Sequence, residues 1–211
     1  MKDKIIDIAL QLFRKNGIRS VTMDMVATEL GISKRTLYEY FPAKDSLVEA
    51  CLNKELERRR QMAAEILSYS HHIVETYILF TWNYILELRR THHLFMQDIR
   101  RLYPGTLCKQ ASDFEAHLKE KVAAFVAQGQ QEGVFRQDVN PELAAIVLFQ
   151  QIRMLTEDGE SIFPSEKYPP HEVFAHIAIH FIRGLATSEG LGIIDHYYAL
   201  HNPENKIIVK P

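Results

Sequence analysis

One stretch near the N terminus, residues 22–47, constrains the fold of this chain more than any other part. Thr22 can cap a helix by accepting from its free N–H groups, and the apolar residues that follow recur at helical spacing as far as Leu30. Gly31 comes next, where a left-handed backbone conformation costs least, and Ser33 can cap a second helix. The stretch therefore predicts a helix, a three-residue turn and a second helix, the arrangement that inserts a helix into the major groove of DNA.

The second of these helices has a small apolar face. Leu37 and Phe41 are expected to point inward, with Tyr38 near the edge of that face. The side chains expected outside are those of Lys34, Arg35, Thr36, Glu39 and Tyr40. A short helix with so many hydrogen-bonding groups and so little core surface is predicted to contact a polar partner.

These residues resemble the TetR (tetracycline-repressor-like) family of transcriptional regulators. The resemblance covers about the first 50 residues. The motifs that carry it are an amphipathic first helix ending at Gly17, the Thr22…Val26-Ala27 opening, the Gly31-Ile32-Ser33 turn, the Leu37-Tyr38-x-Tyr40-Phe41 run and Lys44-Asp45-x-Leu47. Two positions depart from the family pattern. Ala43 replaces a capping side chain, and Arg35 replaces a small residue and would add a contact to a phosphate or a base.

The resemblance implies an all-α protein with two domains. Residues 1–46 would form a three-helix DNA-binding domain with the helix-turn-helix, and residues 47–211 a ligand-binding and dimerisation domain. The implied function is sequence-specific transcriptional regulation, more often repression. A homodimer would bind a pseudo-palindromic operator in double-stranded DNA and be released by a small hydrophobic or amphipathic ligand.

Eight residues are predicted to contact DNA. The expected phosphate contacts are Thr22, Ser33, Tyr40 and Lys44. The candidates for contacts with base edges are Lys34, Arg35, Thr36 and Tyr38. The net charge of −2 over 211 residues argues neither for nor against this interface, because affinity depends on the phosphates neutralised locally.

The pattern after Lys44 stays helical almost to the end. Helices are predicted at about 45–68, 71–90, 92–102, 107–132, 141–157 and 170–188. The tail 192–211 is ambiguous: Ile193-Ile194 and Tyr197-Tyr198 could dock as a short helix, whereas Ile207-Ile208-Val209 looks extended.

The last two long predicted helices lack a wide polar face. A helix that is apolar almost all round must be covered on almost all sides, and a monomer of this size has few places to do so twice. The sequence therefore predicts a homodimer interface of two helices from each chain, with two central core helices in a monomer as the alternative. The residues assigned to the interface are Ile146, Phe149, Ile177 and Phe181.

An aromatic stripe with hydroxyl groups beside it runs along the helix predicted at 71–90. Such a stripe is typical of an apolar ligand pocket with a few polar groups, and ordinary helix packing is the alternative. The predicted ligand-binding residues are Tyr77, Phe80, Thr81 and Tyr84, whereas Trp82 is expected to face elsewhere. The effector itself is unknown from the sequence.

The sequence gives little support for a metal site or a catalytic site. His176 and His180 lie four residues apart on one predicted helix, but a polar strip beside the dimer interface explains them more simply than a metal site. Glu157-Asp158-Gly159-Glu160 has the wrong spacing for calcium, so a solvated loop is preferred. No phosphate-binding glycine loop or nucleophile–base motif occurs, so neither an enzyme nor a cofactor is predicted.

The chain is predicted to be cytoplasmic. Charged residues interrupt any N-terminal apolar run, no membrane span is expected, and the two cysteines are predicted to be buried thiols in a reducing compartment. Two rival functions stay open: a DNA-binding regulator controlled by a protein partner, and a helical small-molecule binding protein or enzyme. The sequence does not name the operator, the regulated genes or the ligand, nor does it decide between repression and activation.

Overall fold

The computed structural model describes residues 1–91, 93–157 and 162–201, and these residues form an all-α protein, as predicted. Their ten helices are α1 (Lys2–Asn16), α2 (Met23–Leu30), α3 (Lys34–Tyr40), α4 (Lys44–Tyr69), α5 (Ile73–Arg90), α6 (His93–Leu102), α7 (Pro104–Gln131), α8 (Pro141–Glu157), α9 (Pro170–Leu185) and α10 (Ser188–His201). Within the described ranges the β-structure is limited to one isolated antiparallel bridge, between Phe135 and Ala186.

Two helix boundaries differ from the prediction for identifiable reasons. The helix expected to start at 107 starts at Pro104, because proline at a first helical position lacks only an N–H that would have no partner in the helix. The helix expected to reach 188 stops at Leu185, because its carbonyl accepts from the N–H of Arg136 at 2.8 Å. The N–H of Thr187 then donates to the carbonyl of Val134 at 2.9 Å, which diverts the chain from a helical path.

The ambiguous tail forms a helix as far as His201. Thr187 Oγ1 caps α10 by accepting from the N–H of Gly190 at 3.0 Å, and Ile194 is completely buried. Gly190 is required at its position, since a Cβ there would lie 2.1 Å from the carbonyl oxygen of Val134. Residues 202–211, including the Ile207-Ile208-Val209 run, lie outside the described residues, as does the acidic loop at 158–160.

The chain packs as two compact units. The first comprises Met1–Ala64 and Arg90–Lys109, and the second comprises Glu65–Arg89 and the described residues from Gln110 onward. The unit that contains the helix-turn-helix is therefore larger than residues 1–46. It includes most of α4, together with α6, whose Phe95 and Ile99 are buried in the same apolar core as residues of α1.

A buried carboxylate ties α1 to α4 inside the first unit. Glu55 is only 6% exposed and bonds three guanidinium groups, those of Arg14 on α1 and of Arg58 and Arg59 on α4. Burial favours the neutral acid, but the three cations outweigh it and hold the pKa of Glu55 below its ordinary value.

The second unit has its core around Phe135, which is fully buried. The ring of Phe125 contacts it edge-on at 5.1 Å and stacks against Tyr77 at 5.3 Å. Gly129 allows this packing, because a Cβ there would lie 2.1 Å from the ring of Phe135.

Candidate nucleic-acid interface

Side-chain caps fix both helices of the predicted helix-turn-helix. Thr22 Oγ1 accepts from the N–H of Met25 at 3.2 Å, and Ser33 Oγ accepts from the N–H of Thr36 at 3.0 Å. Gly31 has a φ of +67°, in the left-handed region, and its N–H bonds the last carbonyls of α2. These three residues act locally, in the way the sequence predicted.

Only a small apolar face of helix α3 is buried, and the rest of its surface is accessible to solvent. Leu37 is its one buried residue among Lys34–Tyr40, and Phe41, just beyond it, is 3% exposed. Tyr38 and Tyr40 are about two-fifths exposed. The predicted base-contacting residues therefore lie together on one short, accessible helix.

The two cations of α3 have different partners. The ammonium of Lys34 lies 2.7 Å from a carboxylate oxygen of Asp24 on α2, and this hydrogen bond and charge raise the pKa of Lys34. Arg35 pairs with Glu39 on its own helix at 3.3 Å, and its side chain is 90% exposed. Sequence analysis had assigned no role to Asp24 or Glu39.

Two predicted phosphate contacts are engaged in the fold. The hydroxyl oxygens of Thr22 and Ser33 accept from the backbone as caps, although each hydroxyl group remains able to donate. Ser33 Oγ lies 2.8 Å from Thr36 Oγ1, and either hydroxyl group can be the donor of that bond. Both residues are exposed, so capping and phosphate contact are compatible.

Lys44 differs most from its predicted role. Its ammonium donates to the carbonyl of Ile18 at 2.6 Å and lies 3.5 Å from that of Arg19, so it is bonded to the turn between α1 and α2. Partial burial lowers its pKa, while the nearby carboxylates of Asp98 and Asp45 oppose that shift. In this structure Lys44 holds the turn together rather than standing as a free surface cation.

Helix α6 supports the same turn. Asp98 Oδ2 accepts from the N–H of Arg19 at 2.7 Å, and Tyr103 donates to Asp45 at the start of α4 over 2.8 Å. Ala43 has no side chain that could cap α4. The Oγ of Ser46, in the first turn of α4, donates to the carbonyl of Ala43 at 2.7 Å. Sequence analysis missed Asp98 and Tyr103, because their partners are 79 and 58 residues away in the chain.

The predicted ligand pocket is not formed as expected. A cleft between α5, α9 and α10 encloses about 280 Å³ of empty space, part of it open to solvent, and has room for about one water molecule. Tyr77 and Thr81 line this cleft, but Phe80 and Tyr84 do not. Tyr84 instead packs edge-on against Phe174 at 4.5 Å.

Trp82 was expected to face elsewhere, and that expectation was wrong. Its indole lines the cleft beside Tyr198. Nε1 of Trp82 is buried and has no hydrogen-bond partner among the described residues. The hydroxyl of Tyr77, by contrast, donates to the carbonyl of Ala178 at 2.9 Å, and burial raises the pKa of Tyr77.

The predicted dimer residues divide into two pairs. Ile146 is 45% exposed on an outer face of α8 that also carries Leu143, Val147 and Met154. Ile177 is half-buried. Phe149 lies beneath the ammonium of Lys119, and Phe181 packs toward Tyr77 with ring centroids 6.1 Å apart. Phe181 therefore contributes to the core of its own chain while staying partly exposed.

Metal-binding geometry does not occur among residues 1–91, 93–157 and 162–201, where no three His, Cys, Asp or Glu side chains are grouped to hold an ion. The rings of His176 and His180 are 5.8 Å apart. No helix in the described part of the chain is long and apolar enough to cross a membrane.

Comparison with known proteins points to one class. The family model for bacterial regulatory proteins of the tetR family matches residues 5–51. The chain is 24% identical over 147 residues to the HTH-type transcriptional repressor KstR2 of Rhodococcus jostii (strain RHA1), which covers 68% of this chain and 72% of that protein.

Similarity extends to a second repressor and to solved structures. The biofilm operon icaADBC HTH-type negative transcriptional regulator IcaR of Staphylococcus aureus (strain Newman) is 24% identical over 128 residues, covering 59% of this chain and 69% of IcaR. A transcriptional regulator from Saccharomonospora viridis, solved in complex with choline, has a TM-score of 0.71 at 18% identity. The match covers 88% of this chain and 97% of that one, so the fold extends over both units.

Proposed function

The chain belongs to the TetR family of DNA-binding transcriptional regulators, and from this premise we propose that it is a homodimeric repressor whose α3 helices bind a pseudo-palindromic operator. The observation that carries the proposal is the capped α2–turn–α3 segment, which presents Lys34, Arg35, Thr36, Tyr38 and Tyr40 on one short accessible helix. The similar proteins KstR2 and IcaR are named as repressors. This supports repression as the direction of control.

The proposed DNA contacts are of two kinds, those to phosphates and those to bases. Thr22, Ser33 and Tyr40 would donate to phosphates and fix the register of the protein on the duplex. Lys34 and Arg35 lie at the start of α3, the end that helix-turn-helix proteins bring to the bases, and either can donate to guanine O6 and N7. A regulator of this kind acts on chromosomal DNA, so we place it in the cytoplasm.

Dimerisation is proposed from the outer face of α8. Leu143, Ile146, Val147 and Met154 leave large apolar areas exposed in a single chain, from 43% to 60% of each residue. A second copy would cover them, with Ile177 of α9 adjoining. A two-fold protein also matches a pseudo-palindromic operator, whose half-sites are separated by about 34 Å or multiples of it.

The test of DNA recognition is selection of bound fragments from a random DNA pool by the full chain. A pseudo-palindrome is expected, and footprinting on it should protect two half-sites. Recovery of fragments with no shared sequence would contradict sequence-specific regulation. Mutation of Arg35 or Lys34 to Ala should then cost about 1–3 kcal/mol on the selected site and much less on random DNA, if that side chain contacts a base.

We also propose that a small ligand controls the binding of this regulator to DNA. Ligand would bind better to a form in which the two α3 helices no longer match the half-sites, so that the population shifts away from the DNA-bound form. The similar structure from S. viridis was solved with choline, which supports a small-molecule effector but does not identify the one used here.

One observation favours a second candidate, control by a protein partner without an inducer. The cleft between α5, α9 and α10 in the second unit has room for only about one water molecule. Thermal unfolding with a library of small apolar and amphipathic molecules separates the two candidates, because a ligand that binds the native state raises the midpoint. If no molecule raises the midpoint, the protein-partner candidate is favoured.

A further inference from the structure

The cleft of the second unit contains a donor that its own chain does not satisfy. Its walls come from α5, α9 and α10 and are mainly apolar, with Ile78, Ile85, Ala175, Ala178, Ile179 and Ile182 among the lining residues. The indole Nε1 of Trp82 is buried in this surrounding without an acceptor. A buried donor without a partner costs about 1–3 kcal/mol, so an acceptor supplied from outside would recover that energy.

The other polar groups of the cleft differ from Trp82. The Tyr77 hydroxyl already donates to the carbonyl of Ala178 within the fold. No Lys, Arg, Asp or Glu is among the lining residues, so the walls of this described cleft provide no counter-ion for a charged ligand. An ionised group would lose its hydration there without compensation.

We propose that this cleft is the effector site and that it takes a small neutral molecule with an apolar body and one hydrogen-bond acceptor, such as a ketone, which accepts from Trp82 Nε1. The inference rests on the proposed control of this regulator by a ligand. The donor is Trp82 Nε1, the position is the cleft between α5, α9 and α10, and the ligand class is a neutral apolar molecule with one acceptor.

Tyr198 of α10 lines the cleft beside Trp82. Its ring lies 5.3 Å from the indole of Trp82, at an interplanar angle of 42°. The cleft holds about one water molecule, so a larger ligand must displace lining side chains, and we expect the Tyr198 ring to be one of them. Helix α10 is joined to α5 by His201 and Glu75, 2.8 Å apart, and to α9 by the pair of Arg183 and Asp195. Displacement of Tyr198 would therefore be transmitted to the contacts of α10.

The experiment uses two probes of matched size, cyclohexanone and methylcyclohexane, which differ in the acceptor. Thermal unfolding of the full chain is followed against the concentration of each probe. Methylcyclohexane leaves water more readily than cyclohexanone, so the informative quantity is the ratio of the two affinities rather than either affinity alone. This ratio is expected to favour cyclohexanone about 3- to 10-fold more in the native protein than in a variant without the Trp82 donor, the effect of one hydrogen bond to a buried donor. Trp82 is the only tryptophan, so its fluorescence should also change on binding.

Two variants test the assignment. Trp82→Phe keeps an aromatic ring but removes the donor, and it should shift the affinity ratio toward methylcyclohexane by about 3- to 10-fold. Ala175→Leu fills the cleft and should weaken both probes at once. Each variant is checked for folding by circular dichroism before titration.

The inference is overturned if neither probe raises the midpoint of the native protein, or if the ratio of the two affinities is the same in Trp82→Phe as in the native protein. Binding to the selected operator is measured separately, without probe. A protein that binds its operator but whose affinity ratio is unchanged by Trp82→Phe would contradict this inference alone, whereas failure to select an operator would contradict the proposed function.

Discussion

Lys34 and Arg35 are neighbours in the sequence, but their carboxylate partners give them different freedom. Asp24 holds Lys34 from another helix, so the pair bridges α2 and α3 and restricts where the ammonium can lie. Glu39 is on the same helix as Arg35, and the side chains of that pair are 90% (Arg35) and 60% (Glu39) exposed. Exposed pairs contribute little stability, so we expect Asp24 to matter mainly by positioning Lys34 for the DNA contact proposed for it.

We predict that Asp24→Asn lowers the ratio of specific to random DNA affinity. Removing a negative charge near phosphates strengthens binding to any duplex, while the released Lys34 loses its defined position. Fluorescence anisotropy with the selected operator and with random DNA, across a salt series, measures both affinities. The matched variant Glu39→Gln should change the ratio less. In a Lys34→Ala background Asp24→Asn should leave the ratio unchanged; an equal fall in both backgrounds would contradict the positioning role.

Lys44 is predicted to contribute stability through its bonds to the turn after α1. Lys44→Met keeps much of the aliphatic stem and removes the ammonium, and it should lower the free energy of unfolding by about 1 kcal/mol, the value of a partly exposed charged hydrogen bond. Urea unfolding measures this. An unchanged free energy of unfolding, with a salt dependence reduced by about one phosphate per subunit, would show that Lys44 acts on DNA alone, as first expected from the sequence.

At the scale of the helices, Glu55 makes the connection between α1 and α4 sensitive to acid. Its folded pKa is lowered below the ordinary value of 4.5, so its contribution to stability is present above pH 4.5. That contribution is lost as the pH falls through the folded pKa, when the carboxylate that bonds three guanidinium groups becomes protonated.

Glu55→Gln should therefore lower the free energy of unfolding at pH 7 by about 2 kcal/mol, less than for a fully buried pair because the arginines are partly exposed. The difference from the native protein should shrink as the pH falls below 4.5, which urea unfolding over a pH series measures. Glu57→Gln is the control on the same helix, since Glu57 meets Arg60 at 3.7 Å in solvent. It should cost less than about 0.5 kcal/mol. An equal loss at pH 7 and at acid pH for Glu55→Gln would contradict the ionic explanation.

Interactions between residues close together in the chain could be predicted from the sequence, whereas contacts between distant helices could not. The caps of α2 and α3 were predictable because Thr22 and Ser33 bond N–H groups three residues away. The role of Lys44 was not, because its acceptor lies 26 residues earlier and becomes a neighbour only after packing. The direction of Trp82 likewise depends on how α9 and α10 pack against α5, and helical periodicity contains no information on that.

Assembly is a property of the whole molecule, and the exposed face of α8 indicates which substitution should test it. Ile146→Glu places a charge on the exposed face of α8 and should give folded monomers, because a charge buried unpaired in a dimer interface is strongly unfavourable. Light scattering and circular dichroism together measure mass and folding. Phe181→Glu, in contrast, should unfold the chain, because Phe181 packs near Tyr77 inside the subunit. An Ile146→Glu dimer would remove this face of α8 from the interface.

The shortness of α3 limits how much sequence information one subunit can extract. Seven residues span about 10 Å, or about three base pairs, at ~1.5 Å per residue and ~3.4 Å per base pair. Two such helices specify about six base pairs, a combination that recurs by chance about once in 4,000 positions, against the ~10⁶ or more competing sites of a genome. Base contacts by α3 alone would leave hundreds of equivalent addresses. We therefore expect the operator to contain further information outside these six base pairs, in contacts made by other parts of the protein and in the deformability of the base pairs between the half-sites.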